Sequence, residues 1–341
     1  ALNAISLLSI FFKLHMKEQI LTKKILNWYD FNKRKLPWRK KISPSKKQYY
    51  TLLSEFMLQQ TQVATVIPYF NKFIKQIPNF HSLAKVENRK LLKLWEGLGY
   101  YSRARNLKKT GKIVIKNFNG KLPDNFEELI SLPGVGNYTA SAILAIAFNK
   151  PYIPLDGNIE RVLKRYLYLK KQSEIQKENL IKKKDIFGKS LRSSDYAQAL
   201  MELGALICKP NNPVCSQCPV NRSCKSHKKK DFSITKNNKK NKDKYFILQV
   251  YKKKQRYLLI KNTKFNFLKN LKIFPMEETS KPKNFNKNIN FKMSNMNMNI
   301  KIQYLKKYEK FKSPHWIDEK KLDNYMLPSF TKKIVKFLEK N

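Results

Sequence analysis

The sequence is poor in acidic residues, and its basic residues include little arginine. It has 71 Lys and Arg against 24 Asp and Glu among 341 residues, a formal net charge of +47. This excess favours a polyanion such as nucleic acid as the partner, because Lys and Arg displace counterions from phosphates. Only 10 of the 71 are Arg, however, a skew that an AT-rich genome also produces. Charge alone therefore leaves both interpretations open.

Long hydrophobic runs are also missing. Residues 1–15 are apolar, but a membrane helix needs about 20 apolar residues. They also lack the basic start and the small-residue cleavage site of a signal peptide. We expect translation to begin at Met16 and residues 1–15 to be an extension without function. No membrane association is expected, and a soluble intracellular protein is predicted.

Internal repeats are absent, and the length favours more than one domain, since single cores rarely grow beyond about 250 residues. Residues 16–226 have the apolar spacing of helices, and the lysine-rich stretch 227–244 is typical of a linker. Residues 245–341 are predicted to form an α+β domain. It would contain a hairpin over Tyr245–Ile260 and a closing helix over Lys332–Glu339.

Cysteine occurs four times, always in one short segment. Cys208, Cys215, Cys218 and Cys224 form the pattern C-x6-C-x2-C-x5-C within 17 residues, so that all four can converge on one centre. A reducing cytosol disfavours disulfides, which makes a metal site the better interpretation. The spacing alone leaves zinc and an iron–sulfur cluster equally open.

The segment LPGVGNYTA places two glycines between two apolar helical stretches. Gly134 and Gly136 lie between FEELISL and TASAILAIA. This pattern is typical of a helix-hairpin-helix, in which glycine lets the backbone approach a phosphate and the following helix offers N–H groups. An ordinary helix–turn–helix corner is the plainer alternative.

Two carboxylates have the surroundings of a catalytic pair. Asp156, in PLDGNIERV, precedes a helical run, so it is expected to cap that helix and to stay ionised through the hydrogen bonds it accepts. Glu55, in SEFMLQQTQ, begins an almost uncharged run, where desolvation would raise its pKa. An acid for a leaving base and an anion for a sugar cation would suit glycosidic bond cleavage. A solvated acid at a helix start is the alternative for Glu55.

These motifs together resemble the MutY-type adenine DNA glycosylases, members of the helix-hairpin-helix superfamily that includes endonuclease III. The match extends from about Ile25 to Cys224. It is carried by the following segments in the family's order: LPWR (36–39), SEFMLQQTQVATVIPYF (54–70), GLGYYSRARNL (97–107), LPGVGNYTA, PLDGNIERV and the four cysteines.

The resemblance implies roles for individual residues. Glu55 would be the general acid at adenine N7, Asp156 would stabilise the sugar cation, and Asn158 and Tyr138 would complete the catalytic group. The resemblance also implies substrate contacts. Those to adenine are Arg34, Trp38, Arg39, Leu58 and Gln198; those to the base stack are Gln60 and Tyr100; those to the DNA backbone are Gly134 and Gly136. The plain alternative makes the aromatic residues and Leu58 core residues, and the arginines solvated ones.

The implied fold is a mainly α glycosylase region followed by a Nudix-like α+β domain. A six-helix barrel-like domain (40–148) would pack on a cluster domain made of 16–39 and 149–226, with the active site in the cleft between them. The C-terminal domain would read 8-oxoguanine, with Ser294 in the recognition loop. There Asn295 stands where the family usually has histidine.

The same resemblance implies a cofactor, a substrate and a reaction. The four cysteines would bind one 4Fe-4S cluster that shapes a DNA-binding loop flanked by Lys209, Arg222 and Lys225. The substrate would be double-stranded DNA with adenine opposite 8-oxoguanine or guanine, attacked by a monomeric, monofunctional hydrolase. An endonuclease III-like lyase would need a lysine where Tyr138 stands. A DNA-binding relative with reduced turnover is the remaining alternative.

Overall fold

The protein is described from a computed structural model, which covers residues 20–233, 242–280, 288–293, 296–306, 311, 314–325 and 327–340. Residues 1–15, Ser294 and Asn295 lie outside these ranges. The chain divides into two compact units. The first comprises Ala1–Val86 and Arg105–Lys236, and the second comprises Glu87–Ala104 and Asn237–Asn341.

The first unit is helical. Its α-helices are α1 (20–32), α2 (Pro44–Leu58), α3 (Val63–Gln76), α4 (Phe80–Lys85), α6 (Ser102–Asn117), α7 (Phe126–Ser131), α8 (Asn137–Ile146), α9 (Gly157–Leu167), α10 (Lys177–Lys183), α11 (Ser193–Glu202) and α12 (Lys225–Lys228). The first three residues of α6 are grouped with the second unit, and the helix belongs to the first unit from Arg105 onwards. The helix α8 is buried from Thr139 to Ala145, and its small residues allow contact with both α2 and α11. Every helix among the described residues is too short or too polar to cross a membrane.

The second unit contains α5 (Asn88–Trp95), two small sheets and the terminal helix α13 (Ser329–Leu338). The first sheet has the order β5-β1-β7-β6, and β1 runs parallel to β7 but antiparallel to β5. The second has the order β2-β3-β4, with β8 also paired to β3. The strands are β1 (Lys242–Val250), β2 (Lys252–Lys253), β3 (Arg256–Lys261), β4 (Lys272–Ile273), β5 (Met276–Thr279), β6 (Ile289–Met293), β7 (Met296–Tyr304) and β8 (His315–Asp318).

The predicted hairpin over Tyr245–Ile260 is wrong. Both apolar runs are strands, but β1 pairs with β5 and β7, whereas β3 pairs with β2, β4 and β8. Each run has its own buried side chains, and the two sheets contribute to one hydrophobic core. Both runs are therefore buried although they lie in separate sheets. A short hairpin does form, in which Lys252–Lys253 pairs with Arg256–Tyr257 and the N–H of Leu258 donates to Tyr251 O at 3.0 Å.

Other boundaries differ slightly from the expectations. The strand β1 begins at Lys242, inside the stretch 227–244 that the sequence favours as a linker. The closing helix is α13, Ser329–Leu338, three residues earlier at its start than expected. Glu87–Ala104, expected in the barrel-like domain 40–148, groups with the second unit.

Candidate active site

Glu55 lies in the last turn of α2 and is buried, with 5% of its surface exposed. Burial raises its pKa to about 7, although a hydrogen bond from the Tyr138 hydroxyl opposes the shift. This upward shift of the Glu55 pKa agrees with the prediction from its apolar neighbours in the sequence. Its Oε2 atom has no hydrogen-bond partner in the described part of the chain. A buried carboxyl with one unused oxygen can hold a proton near neutral pH and deliver it to a ligand.

Asp156 caps α9, as the sequence predicts. Its Oδ1 accepts the backbone N–H of Ile159 at 2.7 Å, and its Oδ2 accepts Nδ2 of Asn158 at 3.0 Å. Burial has the largest effect and raises the pKa of Asp156, while these hydrogen bonds lower it, so that the net shift is upward. Asp156 is therefore a hydrogen-bonded carboxyl in a poorly hydrated place, where its negative charge acts strongly on nearby positive charge.

Tyr138 joins the two carboxylates. It is the second residue of α8, and its hydroxyl donates to Glu55. Burial raises the pKa of this hydroxyl well above its usual value, and the charges of Glu55 and Asp156 raise it further. The phenol therefore stays neutral and acts as a donor.

The turn before α8 has the predicted helix-hairpin-helix form, with α7 on its other side. Gly134 has φ +83°, and a Cβ there would lie 2.9 Å from both Phe56 and Asn106. Only glycine fits this position. A Cβ on Gly136 would meet nothing within 4 Å, which leaves its backbone open.

Glu202 is a site residue that the sequence analysis missed. It is fully buried at the end of α11, and Arg34 binds it through two hydrogen bonds, Nε to Oε2 at 2.8 Å and Nη2 to Oε1 at 2.7 Å. Arg39 contacts Oε1 at 2.9 Å. Burial alone would raise the pKa of Glu202, but the Arg34 hydrogen bonds and the two positive charges lower it. The available signal was one acid in the apolar stretch ALMELGALIC.

These groups line one cavity of about 850 Å³ inside the first unit. Most of the predicted site residues also line it: Arg34, Trp38, Arg39, Glu55, Leu58, Gln60, Tyr138, Asp156, Asn158 and Gln198. Trp38 packs edge-on against Phe70 with ring centroids 5.2 Å apart, and the amide of Gln198 donates to Ser194 O at 3.0 Å. Gln60 has φ +58°, an uncommon conformation for this residue type.

Tyr100 is not among the lining residues of the cavity. It belongs to the second unit, has φ +46° and is 42% exposed, with the Arg103 guanidinium 5.6 Å from its ring centroid.

The four cysteines line a separate small cavity of the first unit, together with Arg165. Arg165 Nη1 lies 3.4 Å from Cys208 Sγ. Arg161, in α9, connects this region to Asn158, since its Nε donates to Cys208 O at 2.7 Å and its Nη2 to Asn158 Oδ1 at 2.8 Å. Among the described residues, no three His, Cys, Asp or Glu side chains are close enough to hold a single metal ion. Four thiols around one cavity form a donor set that suits a metal centre bound by thiolates.

The fold and this site define a DNA glycosylase of the helix-hairpin-helix class. Residues 53–184 match the family model of the HhH-GPD superfamily base excision DNA repair protein. The structure resembles a thermostable thymine-DNA glycosylase with a TM-score of 0.55 and 27% identity, covering 63% of this chain and 98% of that one. Endonuclease III bound to DNA gives a TM-score of 0.52 at 24% identity, over 63% of this chain and 97% of that one, a likeness of fold.

Proteins of similar sequence identify the family within this class of DNA glycosylases. The adenine DNA glycosylase of Buchnera aphidicola subsp. Baizongia pistaciae is 44% identical over 257 residues, which are 74% of this chain and 72% of that protein. The Homo sapiens adenine DNA glycosylase is 40% identical over 212 residues, 60% of this chain and 39% of that protein. The chain belongs to the adenine DNA glycosylase family and is an enzyme of base excision repair that acts on N-glycosyl bonds. The resemblance found in the sequence is confirmed.

Proposed function

We propose that this enzyme removes adenine mispaired with 8-oxoguanine or guanine from duplex DNA by hydrolysis without a lyase step. The observation that carries the proposal is Glu55, a buried carboxyl whose Oε2 is unpartnered and whose pKa of about 7 keeps it partly protonated at neutral pH. It shares its cavity with Asp156, and that cavity is large enough for a flipped nucleotide.

Glu55 and Asp156 divide the chemistry between them. Protonated Glu55 donates to N7 of adenine while the bond between C1′ and N9 breaks and its electron pair leaves with the base. The positive charge that develops on the sugar is stabilised by Asp156, whose carboxylate Asn158 and Ile159 hold in place. Water then adds its oxygen to C1′, and its proton returns to Glu55, which restores the starting state.

Tyr138 supports this arrangement from α8. Its neutral hydroxyl stabilises the ionised form of Glu55 after proton transfer, because it donates to that carboxylate. No lysine among the described residues lines the cavity, which supports hydrolysis by water over a Schiff base.

Adenine recognition is assigned to the part of the cavity lined by Arg39 and its neighbours. Arg39 Nε is buried and lacks a partner within the described ranges, so it is free to donate to a base. Glu202 holds Arg39 and Arg34 by their remaining nitrogens. Trp38 supplies an aromatic face for the base, and Leu58 and Gln198 are the remaining proposed contacts to adenine.

DNA binding is assigned to the hairpin of Gly134 and Gly136, whose backbone approaches phosphates, and to Gln60 and Tyr100 as wedges near the flipped base. The left-handed backbone of both wedges is the kind of uncommon conformation that concentrates at functional positions. The net charge of +47 supports a duplex partner. We expect a monomer in the bacterial cytoplasm, at the nucleoid.

We further propose one 4Fe-4S cluster on Cys208, Cys215, Cys218 and Cys224. The donor set fits, because four thiols line one cavity and such clusters are bound by four thiolates. When bound, the cluster supplies structure to the loop that carries it. Within that loop, Lys209, Arg222 and Lys225 are the proposed phosphate contacts.

The C-terminal part of the second unit is proposed to be Nudix-like and to read 8-oxoguanine, with Ser294 in its recognition loop. Ser294 lies outside the described residues. The proposal for this unit therefore rests on the sequence resemblance and on its mixed sheets with one closing helix.

The test is a panel of matched duplexes with adenine opposite 8-oxoguanine, guanine, cytosine or thymine, treated with hot alkali after incubation. We expect alkali-dependent cleavage at adenine opposite 8-oxoguanine and guanine and little at the others. Strand cleavage before alkali would favour the endonuclease III-like lyase. Tight binding without cleavage of any duplex would favour a relative that has lost turnover.

A further inference from the structure

The chain after α11 approaches the start of α9 closely at a glycine, Gly204. Beyond Glu202 the backbone continues as one turn of π-helix, Leu203–Ile207, closed by the N–H of Cys208 donating to Leu203 O at 2.8 Å. Gly204 lies in this turn. Isolated π turns inside helices are uncommon and often occur at functional sites.

Gly204 packs directly on Asn158. A Cβ built on Gly204 would lie 2.6 Å from the Asn158 Cβ and 2.9 Å from both its backbone carbon and its backbone oxygen. Real Cβ atoms essentially never come within 3.0 Å of another heavy atom, so any side chain at 204 displaces Asn158. The neighbouring atoms belong mostly to backbone in the first turn of α9, which cannot rotate away as a flexible side chain does.

Displacing Asn158 affects the catalytic carboxylate. Asn158 Nδ2 donates to Asp156 Oδ2 at 3.0 Å. One nitrogen of Arg161, Nη2, donates both to Asn158 Oδ1 at 2.8 Å and to the carbonyl of Gly204 at 2.6 Å. The π turn, Asn158 and Asp156 are thus connected by consecutive hydrogen bonds over a contact that has no spare space.

We propose that Gly204 is a positioning residue of the excision reaction. Its missing side chain sets the separation between the helix that carries Glu202 and Gln198, on the side of the base, and the helix that begins beside Asp156, on the side of the sugar. This inference rests on the proposed function. An error of about 1 Å in such a separation is enough to slow a reaction about 100-fold.

The test compares Gly204→Ala with Gly111→Ala. Gly111 lies in α6, and a Cβ there would meet Leu83 Cδ2 at 2.8 Å and Cγ at 2.9 Å, a short contact with a side chain away from the cavity. Each variant is measured for its urea unfolding midpoint, its Kd for the mismatched duplex and its single-turnover excision rate. We expect both to lose stability and to bind DNA normally. Only Gly204→Ala should lose excision, by about tenfold to 100-fold.

A double variant tests the route through Asn158. If Gly204 acts by positioning Asn158, then Gly204→Ala combined with Asn158→Ala should be no slower than the slower single variant. If instead the two variants reduced the excision rate independently, so that their fold losses multiplied in the double variant, that route would be contradicted. Wild-type excision in Gly204→Ala, or an equal loss in Gly111→Ala, would overturn the inference.

A readout without turnover separates this inference from the proposed function. The side-chain amide resonance of Asn158, assigned by its loss in Asn158→Ala, should shift in Gly204→Ala and stay in place in Gly111→Ala. An unmoved resonance would refute the positioning role even if adenine is excised. A wild-type enzyme that excises no adenine would refute the proposed function alone, since the resonance still reports on Gly204.

Discussion

Replacing Glu55 by glutamine should stabilise the protein while it abolishes excision. The pKa of Glu55 rises from an ordinary 4.5 to about 7, mainly because the carboxylate is desolvated. A raised carboxyl pKa means that the folded state prefers the protonated form. The stability that this preference contributes is complete below pH 4.5 and is lost as the pH rises through about 7. The uncharged amide of Glu55→Gln avoids this loss.

The magnitude follows from the size of the shift. A difference of about 2.5 units, at about 1.36 kcal/mol per unit, gives on the order of 3 kcal/mol in favour of Glu55→Gln at about pH 8. At about pH 4 the two proteins should be nearly equal in stability. The amide cannot donate the catalytic proton, so single-turnover excision should fall by at least about 100-fold.

The assay is urea unfolding, followed by helical circular dichroism, of wild type and Glu55→Gln across this pH range. Glu127→Gln, on the exposed surface of α7, is the matched control and should change little at any pH. An equal gain in the free energy of unfolding at low and high pH would mean that packing rather than charge stabilises Glu55→Gln. No gain at high pH, or near wild-type excision by Glu55→Gln, would refute the assignment of Glu55 as a buried acid.

Four further outcomes are expected. Asp156→Asn should keep its DNA affinity and lose about 100-fold or more in single-turnover rate, because the amide cannot stabilise a sugar cation; a rate within a few-fold of wild type would contradict its role. Glu202→Gln should lower the free energy of unfolding by about 1–3 kcal/mol, since Arg34 and Arg39 lose their shared charge; an unchanged urea midpoint would argue against this. Borohydride during turnover should trap little covalent enzyme–DNA adduct, because Tyr138 stands where a lyase needs lysine; efficient trapping would support the rival class. Anaerobically purified protein should be brown and contain about four irons per chain; stoichiometric zinc without iron would reverse that proposal.

Local features of the site follow directly from sequence. Asp156 caps α9 because an Asp before a helical run accepts the orphan N–H groups of the first turn. Glu55 is buried because its neighbours in α2 are largely apolar, and the raised pKa follows from that burial. Gly134 is fixed by its left-handed backbone, which the turn between two helices requires.

Features that depend on distant contacts did not follow from sequence. Arg34 and Glu202 are 168 residues apart, so their ion pair exists only after α11 has packed. The net effect on the Asp156 pKa needed the balance of burial against hydrogen bonds, which only the folded environment supplies. Gly204 stands in an ordinary helical pattern, and its need for space is visible only when Asn158 lies against it.

The prediction of strand pairing also failed because the pairing depends on distant contacts. The two apolar runs around Lys252–Lys253 carry strand propensity, and a hairpin is the nearest pairing in sequence. The partners of β1 are β5 and β7, and β7 joins it in parallel register with Lys242 opposite Met296. Only the shared core of the second unit selects that pairing over the local one.

The most direct test of the central claim is identification of the released product. A duplex with one adenine opposite 8-oxoguanine, incubated with excess enzyme, should release free adenine in an amount equal to the duplex turned over. The strand should stay intact until alkali is added. Release of another base, no release of adenine from a bound duplex, or strand cleavage that precedes alkali would contradict the account.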